Sequence, residues 1–191
     1  MTQNTLDTTI NEPAPDAGEA EVTLFALERT RAQFAWKVGG LGADALHALH
    51  PPSTMTLAGL IKHLALVEAQ RTAESFGGPG YGRQWAGYDG PDWEWRSAAA
   101  DSPDDLYSLW TECVARSRAA LEALLANGGM NQPAKVADDW EGPVPNLRRV
   151  LADLHDEYAR HVGHADLFRE ATDGLVGEDP PQPYQIQAPT S

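Results

Sequence analysis

The chain has a single cysteine, Cys113, among 191 residues. That excludes an intramolecular disulfide and any multi-cysteine zinc site. Basic residues are also scarce, 14 against 28 acidic ones, for a net charge of −14. This balance opposes binding to phosphate backbones and anionic lipid, so neither nucleic acid nor a membrane is expected as a partner. No apolar run approaches the roughly 18 residues of a membrane span, and the N-terminus lacks the basic-then-apolar order of a signal peptide. The expectation is a cytoplasmic protein, long enough for one domain with a sizeable core. If it holds a metal ion, histidine and carboxylate must supply the ligands.

What the sequence does have is helical periodicity. Leu24, Leu27, Phe34, Ala35 and Val38 recur at helical spacing until Gly39-Gly40, where a left-handed residue can end a helix. Arg31 and Trp36 lie on this first segment and could face a pocket, although an aromatic beside a helical stripe reads more simply as core. A second segment opens at Thr54 or Thr56, either of which can cap it, and carries Leu57, Leu60, Ile61, Leu64 and Val67 toward Phe76. Ser102-Pro103-Asp104-Asp105 combines a cap, a first-turn proline and acids placed for the helix dipole. The third segment then carries Leu106, Leu109, Trp110, Cys113, Val114, Leu121 and Leu124 to Asn127-Gly128. Cys113 lies mid-stripe, where burial raises a thiol's pKa, so it reads as core and not as a nucleophile. The fourth segment runs from Leu147 to Gly174.

Residues 1–20 are polar and aperiodic, a flexible leader, and residues 177–191 form a proline- and glutamine-rich tail. Residues 41–53 are a connector that contains His47 and His50; two histidines three apart could bind metal, but no carboxylate or cysteine nearby completes a site. Residues 77–101 are rich in glycine and proline and carry Trp85, Tyr88, Trp93 and Trp95; they read as a loop covering the mouth of a pocket. A further loop over 129–145 includes Asp138, Asp139, Trp140 and Glu141. Four amphipathic helices without strand signals predict an all-α, up-and-down four-helix bundle over residues 21–176, with long loops between helices two and three and between helices three and four.

The fourth segment carries the chemistry. At about 100° per residue, Leu147, Val150, Leu151, Leu154, Tyr158, Ala165 and Phe168 share one sector, and Glu157, His161 and His164 lie at its edge within about 60° of one another. A carboxylate turned toward a core must be paired, hydrogen-bonded, metal-bound or protonated, unless the helix is rotated enough to leave it at a solvated rim. On the second segment His63 borders the apolar stripe. Gly59, one turn earlier, leaves room for another helix or a ligand, and Glu68 is a second, weaker ligand candidate.

The runs PPSTMTLAGLIKHLALVE and LHDEYARHVGHADLFREATDG, with Gly40-Leu41, resemble the DinB-like (YfiT-type) metal-binding four-helix bundles. Within them the similarity is greatest to the branch of mycothiol-dependent maleylpyruvate isomerases and thiol S-transferases. The resemblance covers roughly residues 21–178. It implies a divalent metal ion held by His63, Glu157 and His161, with zinc preferred and nickel, iron or manganese as alternatives. Many members have histidine where Glu157 stands, whereas the isomerase branch uses glutamate. His164 lies outside the implied ligand trio and takes a catalytic or pocket role, orienting a ligand or a bound water. The same resemblance implies a small-molecule thiol as co-substrate, an electrophilic second substrate and, by analogy, a homodimer. A metal-binding bundle without turnover, with a stress or regulatory role, and a bundle recruited to small-molecule biosynthesis are the competing functional readings. One departure is that Gln70, Arg71 and Thr72 stand where the branch carries a large aromatic.

Overall fold

The computed structural model describes residues 6–78, 85, 87–135 and 143–182. Four long helices, α1 (Glu19–Val38), α3 (Leu57–Glu68), α5 (Pro103–Asn127) and α6 (Leu147–Asp173), form the expected bundle. Two short helices, α2 (Ala43–Leu46) and α4 (Trp93–Ser97), lie in the first two connections. Among the described residues the sole β pairing is an isolated bridge between Pro133 and Asn146. No described helix is long and apolar enough to cross a membrane.

The helix ends follow from local chemistry. Thr56 Oγ1 accepts from the Gly59 amide at 3.0 Å, Ser102 Oγ from Asp105 at 3.2 Å, and Asn146 Oδ1 from Arg149 at 3.1 Å. Each contact satisfies a donor that a helix N-terminus leaves free. Gly174 ends α6 at φ 80°, the left-handed conformation that glycine adopts without a Cβ penalty.

Packing arranges the long helices as two pairs, α1 with α6 and α3 with α5, and α3 also touches α6 across the core. From α6, Leu147, Val150, Leu151, Leu154, Tyr158, Ala165 and Phe168 are all buried, as the helical wheel requires. Full burial of each large apolar side chain contributes roughly 1.5–3 kcal/mol. Because α3 touches α6, side chains on their facing edges can converge on one point.

Three features depart from the periodic pattern. The second segment is not one uninterrupted α-helix: beyond Glu68 the backbone widens into a π-helical turn over Ala69–Glu74. Thr72 is buried there, its hydroxyl donating to the Glu68 carbonyl at 2.6 Å. Leader and tail also make specific contacts. Leu6 joins the core, the Ile10 amide donates to Gln182 Oε1 at 3.0 Å, and Asp179 pairs with Arg29. Trp36 packs so closely on the tail that a Cβ added at Gly177 would stand 2.9 Å from its ring.

Candidate metal centre

His63 projects from α3, and Glu157 and His161 from α6 where the two helices touch. Four residues separate Glu157 from His161, one helical turn, so both side chains leave α6 on the same face. The three offer ligand atoms that all lie within 4.8 Å of one another. Glu157 Oε2 is 3.5 Å from His161 Nε2 and 3.8 Å from His63 Nε2. Both separations exceed ordinary hydrogen-bond lengths, so the donors converge without bonding to one another. Three donors about 2.1 Å from a common tetrahedral centre would stand about 3.4 Å apart, close to these separations. The helix edge that looked anomalous in sequence is therefore a cluster of lone-pair donors, and these residues could hold a divalent ion.

Electrostatics keeps one of the imidazoles in its ligand form. Burial, helped by the neighbouring rings of His63 and His164 and by Arg160, pushes His161 down to about 4. At neutral pH it is uncharged, with one ring nitrogen bearing a lone pair. His164 stands one turn further along α6, its Nδ1 3.2 Å from Nδ1 of His161. It faces the back of the His161 ring, away from the side on which Nε2 meets Glu157.

Around His63 the contacts come from a residue type and a segment that the periodicity did not single out. Its Nδ1 lies 3.1 Å from Glu94 Oε1, and Trp95 stacks on its ring with centroids 4.7 Å apart. Burial works to raise the Glu94 carboxyl, but the His63 hydrogen bond, its own backbone amide and nearby Arg96 outweigh burial and hold it below the usual carboxylate range. The available signal was Gly59. A glycine inside a helix costs roughly 1 kcal/mol relative to alanine, so it marks a close approach, and what approaches is Trp95. The large aromatic that the resemblance implies near positions 70–72 is absent from the π-helical turn, and the ring that stacks on His63 is an indole from α4. The remainder of the aromatic segment lies partly outside the described residues, as do Asp138, Asp139, Trp140 and Glu141.

Glu68 does not join the centre. Five residues after His63, it is rotated by about 140° around α3 and makes two hydrogen bonds to Arg31, at 2.7 and 2.6 Å. Arg31 also donates to Ser117 Oγ at 2.9 Å and to Glu28 at 2.7 Å. The fully buried Glu68 is thus the counter-ion of an equally buried guanidinium, and neither is free to serve a ligand. His47 and His50 do not form a metal pair: His47 Nε2 bonds the Ala98 carbonyl at 3.1 Å, and His50 stacks on Phe168. Cys113 is buried, and burial followed by the charge of Glu68 raises its thiol to about 12.

The family model described as mycothiol-S-transferase matches residues 23–174. The crystal structure of a conserved protein from Enterococcus faecalis shares the fold at a TM-score of 0.59 and 17% identity, covering 83% of this chain and 99% of that one. No curated protein matches the chain.

Proposed function

The chain belongs to the mycothiol-S-transferase family, and from that premise we propose that it transfers a small-molecule thiol of the mycothiol type to an electrophile at a divalent-metal centre held by His63, Glu157 and His161. The observation that carries the reading is the convergence of those three donors, from α3 and α6, to within 4.8 Å. Two imidazoles and one carboxylate suit zinc, with nickel, iron or manganese as alternatives. When bound, such an ion would supply Lewis acidity that lowers a thiol's pKa from ~8.5 and makes it nucleophilic near neutral pH.

The protein's own residues divide the remaining work. His161, kept neutral by burial, presents a lone pair where a protonated ring could not. Glu157 brings negative charge, so that a dication in this place would retain roughly one net positive charge toward an incoming thiol. Cys113 cannot be the nucleophile, because its thiol is buried and held protonated at neutral pH. The reacting sulfur therefore comes from solvent. Trp95, partly exposed beside both His63 and His161, supplies an apolar wall for whatever enters. A lone reduced cysteine and a requirement for a free thiol fit the reducing cytoplasm.

The test is an assay of mycothiol with an alkylating electrophile, run on zinc-loaded protein, on metal-stripped protein and on His161→Ala. Turnover in the first alone supports the reading. Equal turnover in stripped and loaded protein would remove the metal from it, and no turnover in any preparation would leave a bundle without this activity.

A further inference from the structure

Three consecutive residues of α4 grip α3 around His63. The Lys62 ammonium lies 4.4 Å from the centre of the Trp93 ring. Glu94 meets His63 Nδ1 at 3.1 Å. Trp95 stacks on the His63 ring at an interplanar angle of 24° and reaches His161 with centroids 6.1 Å apart. The position of the indole depends on Gly59: a Cβ there would stand 2.7 Å from Cε3 of Trp95, closer than carbon atoms approach. Lys62 also bonds Asp101 at 2.6 Å, fastening the chain just beyond α4 to the same turn of α3.

These contacts bear on one chemical choice. An imidazole ligates through the ring nitrogen that lacks a proton, and which nitrogen that is depends on what the other one meets. In His63, Nε2 faces Glu157 and Nδ1 faces Glu94. An ionised carboxylate only accepts hydrogen bonds, so Nδ1 carries the proton and donates it to Glu94, and the lone pair is left on Nε2. The stacked indole limits rotation of the ring about its bond to Cβ and so fixes the direction of that lone pair. Glu94 is itself buried, so it is held in this place by packing and is not a surface carboxylate that happens to lie nearby.

Taking the metal reading of His63, Glu157 and His161 as its basis, we infer that Glu94 and Trp95 are positioning residues of the centre: Glu94 selects the His63 tautomer, Trp95 with Gly59 sets the ring plane, and α4 thereby tunes an affinity to which it contributes no ligand. Partners of this kind typically alter metal affinity 10- to 100-fold when removed.

The experiment is a cobalt(II) titration of the full chain, followed by the visible absorption bands of the ion, for the wild type, Glu94→Gln, Glu94→Ala and Gly59→Ala, with circular dichroism confirming the fold. Glu94→Ala should bind roughly 10- to 100-fold more weakly. Glu94→Gln keeps the shape and an acceptor oxygen, so it should recover part of that loss. Gly59→Ala displaces Trp95 without touching a ligand and should shift the cobalt bands. Should Glu94→Ala fail to fold, the near-isosteric glutamine variant decides alone, with several-fold weaker binding expected. Wild-type affinity and spectrum in the folded glutamate variants would overturn the inference while leaving the metal centre in place. A wild type that takes up no cobalt would overturn the centre itself, and the role of Glu94 with it.

Discussion

Nδ1 of His161 and Nδ1 of His164 stand 3.2 Å apart on successive turns of α6. Only one proton can lie between them. With a metal ion on Nε2 of His161, its Nδ1 would be the donor and His164 Nδ1 the acceptor. In that state His164 would steady His161 in the way proposed for Glu94 and His63, with its other nitrogen left to orient a ligand. His164→Ala should weaken zinc binding roughly tenfold and slow thiol transfer, with little change in melting temperature. Calorimetry and the transfer assay check this; unaltered affinity and rate would show that His164 does neither.

The buried pair of Arg31 and Glu68 answers to stability and not to chemistry. Removing one partner strands the other charge in the core, at a cost of about 3–5 kcal/mol. Glu68→Ala should therefore shift the urea midpoint strongly, whereas an Arg31→Met, Glu68→Leu double variant should recover much of the loss. A mild effect of Glu68→Ala would mean that Glu28 and Ser117 suffice to balance Arg31.

Helix boundaries were legible in the sequence where Thr56, Ser102 and Gly174 act through their immediate neighbours. The placing of Glu157 and His161 on one helix face was equally local, since a spacing of four fixes it. His63 could only be suspected, because its partners come from a helix more than ninety residues away. Glu94 lay hidden in a glycine- and proline-rich stretch whose short helix has no periodicity of its own; it becomes meaningful only once α4 docks on α3. The pairing of Glu68 with Arg31 had a readable trace, two opposite charges on apolar faces of different helices, but nothing in either helix says that they meet. The π-helical turn over Ala69–Glu74 and the burial of Leu6 are likewise tertiary outcomes.

Acid should destabilise the metal-free protein through His161. Its folded-state value of about 4 lies below the ordinary 6.5, so between those values the unfolded chain binds the extra proton. Stability from this source is complete above pH ~6.5 and is lost as the pH falls toward about 4, in total on the order of 2–3 kcal/mol. Denaturant titrations across that range should show the decline in the wild type and a shallower one in His161→Gln. Parallel curves would contradict it.

Cys113→Ala should leave thiol transfer unchanged and lower stability by on the order of 1 kcal/mol, the consequence of a small cavity in the core. A tenfold loss of turnover in a folded Cys113→Ala protein would bring the buried sulfur back into the reaction.

Metal titration by calorimetry on tag-free protein tests the central claim most directly, comparing the wild type with a His63→Ala, His161→Ala double variant. One zinc ion per chain in the wild type and none in the variant is the expected result. Equal uptake by both, or no uptake by either, would contradict a metal centre between α3 and α6.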